Sequence, residues 1–227
     1  MFDGLREARF VPKPIEPNSI FERWTNSFQR EGETGDDEVQ AVKSVVGKIT
    51  AYHGKKRFLA KLVGRPVKIS LLSRAFPYAT FVHVTRELKP TVSSLLKVDF
   101  YNPRGGMEHW HWDKIPDTYF QQYQRLNEAP EVAAAIKFLL NRKELNLQLR
   151  QLPADRWTRL QYSSFVSDPA GSLREICRVA GLAVDDTIAR RWERRRVRVG
   201  SDIKWQTALS LDQIKRLDSL TRPPDTS

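Results

Sequence analysis

Residues 80–86, Thr-Phe-Val-His-Val-Thr-Arg, decide the fold class of this chain. β-Branched and aromatic side chains dominate the segment, which predicts a strand over residues 80–85. Arg86 follows this strand, and the chain then turns through Lys89 and Pro90 into a predicted helix. A strand that leads at once into a helix is the first half of a βαβ unit, from which parallel sheets are built.

The remaining predicted elements continue this alternation of strands and helices. Further strands are predicted over residues 57–62 and 156–162. Helical periodicity and capping signals predict helices at residues 36–54, 66–77, 90–96, 117–126, 130–151, 168–181 and 211–220. The sequence therefore predicts an α/β fold in which helices flank a parallel sheet.

The composition is that of a basic globular protein. The 227 residues include 38 Lys+Arg and 27 Asp+Glu, for a formal net charge of +11. Because 40% of the residues are hydrophobic, we expect a packed core. We find neither a membrane-spanning apolar run nor a signal peptide, and a single cysteine, Cys177, favours a reducing compartment. We predict a cytoplasmic protein with an irregular lead-in over residues 1–35 and a single α/β domain over residues 36–227.

The end of the strand at residues 80–85 is the best candidate for an anion-binding site. Ligands of parallel α/β sheets bind beyond the carboxyl ends of the strands, where helix N-termini attract anions. Arg86 offers a planar guanidinium that matches phosphate oxygens, and Ser93 and Ser94 offer hydroxyls on the following helix. The alternative is that Arg86 only pairs at the surface. We expect a phosphate site here.

The same region resembles the bacterial type of sulfotransferase. Residues 73–86 are similar to that family's succession of helix, Phe-Pro, strand and arginine, and residues 152–182 are similar to a later strand and helix that include a tyrosine, here Tyr162. The Trp-rich loop at residues 98–116 also resembles bacterial members. The resemblance implies a P-loop NTPase-like sulfotransferase fold. It also implies an enzyme that moves a sulfuryl group from 3′-phosphoadenosine 5′-phosphosulfate (PAPS) to a hydroxyl or amine on a small-molecule or glycan acceptor.

The resemblance implies which residues would hold this nucleotide donor. Arg86 and Ser94 would bind the 3′-phosphate, and Tyr162 would lie near the adenine. The counterparts of a late basic loop that also contacts the 3′-phosphate are Arg196, Arg198 and Gly200.

Candidates for catalysis come from two other segments. Lys61 is the counterpart of a family lysine that supplies positive charge at the bridging oxygen, although it is equally well explained as a plain strand-end lysine. His109 and His111 lie in the Trp-rich loop and could accept the acceptor's proton near neutral pH, or could simply pack there. The two histidines lack a third spaced ligand, so no metal is expected. We predict that His83, within the strand, is a satisfied core histidine.

One departure from the family concerns the Gly-rich loop that binds the 5′-phosphosulfate. Neither that loop nor the pattern G-x-x-x-x-G-K followed by Ser or Thr occurs in the sequence. Because such a loop supplies backbone donors to the transferring group, we expect an N-terminally incomplete fold that is weakly active or inactive alone.

Two alternatives remain open at the level of sequence. The chain could be a non-catalytic scaffold derived from a sulfotransferase. It could also be a basic nucleic-acid-binding protein that uses the Arg-rich segment at residues 190–198, although no nucleic-acid-binding motif is visible, which makes nucleic acid the less favoured partner. An oligomer is compatible with either reading.

Overall fold

The computed structural model describes residues 35–62, 68–98, 115–184, 187, 190–191 and 203–221. Contacts between residues divide the chain into two compact units, of which the first ends at Ala75 and the second begins at Phe76. The predicted organisation, a lead-in followed by one domain from residue 36, stays a prediction. Within the described ranges, no helix is both long enough and apolar enough to cross a membrane.

The described part of the first unit contains two packed helices, α1 (Asp36–Tyr52) and α2 (Ile69–Ala75). The buried face of α1 consists of valines at helical spacing, namely Val39, Val42 and Val46. Acidic residues fill the first turn of α1, where carboxylates interact favourably with the helix dipole. One of them, Asp36, also accepts a 2.8 Å hydrogen bond from Arg74 of α2.

Residues 57–62 do not form the predicted strand. The alternation of apolar residues in this segment is short, and Leu59 remains 94% exposed. A strand is stabilised by ladder hydrogen bonds and by a face packed on a core, so a short apolar run without a covered face stays irregular. The prediction was wrong because the composition of a segment does not determine whether another strand lies beside it to pair with.

The sheet of the second unit consists, within the described residues, of two parallel strands. Strand β1 (Phe81–Thr85) pairs with β2 (Trp157–Gln161), and the register runs from Phe81 opposite Trp157 to Thr85 opposite Gln161. Both strands lie within one residue of their predicted bounds. The pairing confirms the predicted α/β class with a parallel sheet flanked by helices.

The described part of the connection between the strands is helical, as is usual for parallel pairing. It contains α3 (Leu88–Leu95), α4 (Asp117–Arg125) and α5 (Pro130–Leu149), each close to its predicted range. Helix α5 begins with Pro130 at its first turn, a position where the missing N–H costs no intrahelical bond. The described helices confirm the helices predicted for these segments.

Arg156, immediately before β2, fixes the backbone that leads into β1. Its guanidinium donates to the carbonyl oxygen of Phe76 at 3.1 Å and to that of Ala79 at 3.2 Å. One side chain thereby satisfies two carbonyls of the Phe-Pro-Tyr turn and ties the starts of both strands together.

Two helices follow β2 directly. Helix α6 (Tyr162–Ser167) was not predicted, because its serines have low helix propensity and resemble a loop. Helix α7 (Pro169–Val179) has the predicted cap: the Asp168 carboxylate accepts from the Gly171 N–H at 2.8 Å. Gly181, with φ of +59°, ends the helical segment in a backbone conformation that favours glycine.

The core of the second unit lies where α3 and α5 meet the C-terminal helices α8 (Trp205–Ala208) and α9 (Leu211–Thr221). Its central side chains are fully buried aliphatic residues from three of these helices, namely Val92, Val132, Ile136 and Leu217. A buried carboxylate on α5, Glu131, accepts a 2.6 Å hydrogen bond from Arg216 of α9. The C-terminal helix is therefore an integral part of this core.

We expect Leu217→Ala to lower the free energy of unfolding by about 2–5 kcal/mol, because it leaves a cavity at a side chain that is 0% exposed. Urea denaturation measures the effect. Leu211→Ala, on the same helix at a side chain that is 76% exposed, is the matched control and should change the value little. Equal losses in the two variants would show that α9 does not pack into the core as described.

Candidate functional site

The carboxyl ends of β1 and β2 lie side by side and carry two of the predicted site residues. Thr85 and Gln161 form the last register pair, and Arg86 and Tyr162 are the next residues of the two strands. The guanidinium carbon of Arg86 lies 4.7 Å from the centroid of the Tyr162 ring. This is a cation–π contact, which orients the guanidinium against the ring face. Two residues far apart in sequence are thus brought together at the edge where α/β proteins bind ligands.

The N-terminus of α3 lies at the same edge. Glu87, directly after Arg86, is the N-cap residue, and its side chain makes no capping hydrogen bond to the helix. The unsatisfied N–H groups of a helix N-terminus carry partial positive charge and favour anions. Ser94, in the last turn of α3, is exposed, whereas its neighbour Ser93 is buried. The predicted serine is therefore the one that solvent and a ligand can reach.

Polar side chains connect the ends of the two strands. The Thr85 hydroxyl donates to Gln161 Oε1 at 2.6 Å, and Gln161 Nε2 donates to Glu87 Oε1 at 3.1 Å. The sequence reasoning missed both Thr85 and Gln161. The available signal was their position, because each immediately precedes a predicted site residue at a strand end.

The charges around this edge are partly compensated. Lys89, in the first turn of α3, pairs with Asp218 of α9 at 2.7 Å and lies 5.1 Å from the Trp205 ring centroid. Glu87 places a carboxylate next to Arg86 in sequence and so reduces the local positive charge. Arg86 and the helix N-terminus are therefore the groups best suited to attract an anion here.

His83 is buried in β1, as predicted, at 8% exposure. It was also expected to be hydrogen-bonded, but its Nδ1 atom has no hydrogen-bond partner among the described residues. The guanidinium of its register partner, Arg159, donates instead to Asn146 Oδ1 at 3.2 Å. Burial, together with Arg159 and Arg142, lowers the pKa of His83 to about 4. His83 is thus neutral at pH 7.

Several predicted site residues cannot be placed at this edge. Lys61 belongs to the first unit, where it follows α1, and its catalytic role stays a prediction. His109, His111, Arg196, Arg198 and Gly200 lie outside the residues that the structure describes. In the part of the chain that is described, no group of three or more His, Cys, Asp or Glu residues could hold a metal ion.

The lowered pKa of His83 predicts a loss of stability in acid. In the unfolded chain a histidine binds its proton near pH 6.5, whereas folded His83 does so only near pH 4, so protons favour the unfolded state between these values. We expect the free energy of unfolding to fall by up to about 3 kcal/mol from this group as the pH drops from about 6.5 to 4. Urea denaturation at a series of pH values measures the slope.

His83→Leu should remove this part of the pH dependence. The same substitution at exposed His53 is the matched control. If both variants kept the wild-type slope, another group would be responsible for the acid sensitivity.

Comparisons with known proteins cover most of the chain. Residues 6–186, more than half of the chain, match the model of the Sulfotransferase family. A solved structure titled "Sulfotransferase Domain from the Curacin Biosynthetic Pathway" is similar with a TM-score of 0.48 at 12% identity, over 80% of this chain and 68% of that one. A search of curated proteins found no significant match. The family match includes β1, β2 and the candidate site between them and ends before α8 and α9. The chain belongs to the sulfotransferase family.

Proposed function

We propose that this protein is a sulfotransferase that binds PAPS at the carboxyl ends of β1 and β2. The observation that carries the proposal is the Arg86 guanidinium held 4.7 Å from the Tyr162 ring centroid, next to the N-terminus of α3. A cation and a helix N-terminus at one sheet edge suit a phosphorylated ligand, and the neighbouring aromatic ring suits a nucleobase. Family membership supports the reaction class.

In this proposal Arg86 and Ser94 bind the 3′-phosphate, and Tyr162 lies near the adenine. An arginine already oriented by stacking loses less side-chain entropy when its N–H donors bind phosphate oxygens. Arg196, Arg198 and Gly200 are proposed to complete the phosphate site. Among the described residues at this edge, the Glu87 carboxylate works against an anion, and Asp218 compensates the charge of Lys89.

The proposed reaction transfers a sulfuryl group between oxygens, or from oxygen to nitrogen. The acceptor atom forms a bond to sulfur while the bond from sulfur to the 5′-phosphate oxygen breaks, and that oxygen leaves with the electron pair as part of adenosine 3′,5′-bisphosphate. The acceptor's proton passes to a base, for which His109 and His111 are the candidates. Lys61 is the candidate for compensating the charge that develops on the bridging oxygen.

We further propose that the chain alone binds adenosine 3′,5′-bisphosphate but transfers the sulfuryl group slowly or not at all. The sequence contains neither the family's Gly-rich loop for the 5′-phosphosulfate nor the pattern G-x-x-x-x-G-K followed by Ser or Thr, and such loops supply backbone donors to the group being transferred. Binding and catalysis are therefore to be measured separately. A folded chain that binds no nucleotide would instead fit the scaffold alternative.

Arg86→Ala is expected to lower the affinity for adenosine 3′,5′-bisphosphate about 10- to 100-fold, because hydrogen bonds to a charged group are lost. The affinity for 5′-AMP should change little, since it lacks the 3′-phosphate. Isothermal titration calorimetry at two salt concentrations measures both ligands. Arg178→Ala is the matched control, because Arg178 is exposed and pairs only locally in sequence, with Glu175.

Binding of neither nucleotide by a folded wild-type chain would overturn the proposed function. So would equal affinity for the two nucleotides, since the proposal requires recognition of the 3′-phosphate. Tight binding to RNA or DNA that falls steeply with salt would instead favour the nucleic-acid-binding alternative.

The aromatic face of Tyr162 should matter more than its hydroxyl. We expect Tyr162→Phe to keep bisphosphate affinity within about twofold of wild type, because the ring that contacts Arg86 is retained. Tyr162→Leu should lower it about three- to tenfold. Equal losses in the two variants would show that the hydroxyl, and not the ring, is needed.

A further inference from the structure

We propose that Thr85, Gln161 and Glu87 form a strand-end latch that positions Arg86 and Tyr162 for donor binding. The inference rests on the proposed function of the same site. It assigns Thr85 and Gln161 as positioning residues, because they act through the neighbouring Arg86 and Tyr162 and are not themselves proposed to contact the nucleotide.

The latch consists of two hydrogen bonds made by one amide. Gln161 Oε1 accepts from the Thr85 hydroxyl at 2.6 Å, and Gln161 Nε2 donates to Glu87 Oε1 at 3.1 Å. A carboxylate can only accept, so the amide must turn its NH₂ group toward Glu87 and its oxygen toward Thr85. The Gln161 side chain thereby links β2 to Thr85 and Glu87, the residues on either side of Arg86.

Each latch residue is adjacent in sequence to a residue of the candidate site. Thr85 and Glu87 flank Arg86, and Gln161 precedes Tyr162. The direction in which the backbone leaves each strand determines where the next side chain projects. Because the last pair of a strand ladder opens more easily than its centre, a side-chain link at this pair keeps Arg86 and Tyr162 in contact.

The latch also decides where the Glu87 carboxylate lies. An acidic N-cap side chain can accept hydrogen bonds from the first N–H groups of its helix, but Glu87 makes no such bond and accepts from Gln161 instead. Without Gln161, the carboxylate could turn to the N-terminus of α3 and compete with an anionic ligand for the same donors. The Gln161 amide thus binds the Glu87 carboxylate, which then does not cap the N-terminus of α3.

The test measures the affinity of the full chain for adenosine 3′,5′-bisphosphate by calorimetry. Thr85→Val keeps the shape of the side chain and removes its hydroxyl, and Gln161→Leu removes both hydrogen bonds of the amide. Each should weaken binding about three- to tenfold, the effect of roughly one hydrogen bond. The double variant should be no weaker than the poorer single variant, because both substitutions break the same latch.

Two further variants separate this role from general stability. Thr80→Val is the matched control, since Thr80 donates to the Val179 carbonyl oxygen at 3.4 Å at the other end of β1, and it should leave affinity within about twofold of wild type. Glu87→Gln should raise affinity, and in the Gln161→Leu background it should restore part of the loss, because it removes the competing charge but not the loss of the Thr85 hydrogen bond. A merely structural role for Gln161 would not be rescued in this way.

Hydrogen exchange provides a readout that needs no nucleotide. Gln161→Leu should increase amide exchange in the peptides around Arg86, on the other strand, relative to Thr80→Val. Unchanged exchange, unchanged affinity or fully additive losses would overturn the latch. If the wild type binds no nucleotide, the proposed function is wrong, and the role of Thr85 and Gln161 in donor binding fails with it. Amide exchange then still reports whether Gln161 orders the end of β1.

Discussion

The parallel register of β1 and β2 is the constraint on which the candidate site depends. Because Thr85 lies opposite Gln161, both strands end at the same level, and the residues that follow them become neighbours. Side chains alternate between the faces of a sheet, so a slip of one residue would turn every side chain of one strand to the wrong face. The Arg156 guanidinium at the start of the strands and the Gln161 amide at their end both stabilise this register.

Local sequence patterns predicted most of the helices and both paired strands. The β-branched and aromatic composition of residues 80–85 and the long helical run of α5 indicated the type of each element, although the buried residue of β1 is His83 and Val84 is 56% exposed. Asp168 followed by Pro169 likewise predicted a helix start, and the cap is present. The prediction of a strand at residues 57–62 was wrong, since a short apolar run specifies a strand only when a neighbour is available.

Part of the candidate site was also predictable from local sequence patterns. Arg86 was found because it follows a strand and because its surroundings resemble one family, whereas Tyr162 was found through that resemblance alone. Their contact was not predictable from the residues, since it depends on how two strands far apart in sequence pair. The same holds for the hydrogen bonds of Gln161 and for His83 Nδ1, which has no hydrogen-bond partner in the described part of the chain, because both depend on tertiary neighbours.

Helix α9 lies beyond the family match, yet it packs on the helices that carry the site. Leu217 is buried in the core shared with α3 and α5, and Asp218 pairs with Lys89 in the first turn of α3. During synthesis, β1, α3 and α5 are therefore made well before the side chains that cover them. A nascent chain that stalls ahead of α9 presents an uncovered apolar surface, which makes it prone to aggregate or to be held by chaperones until that helix emerges.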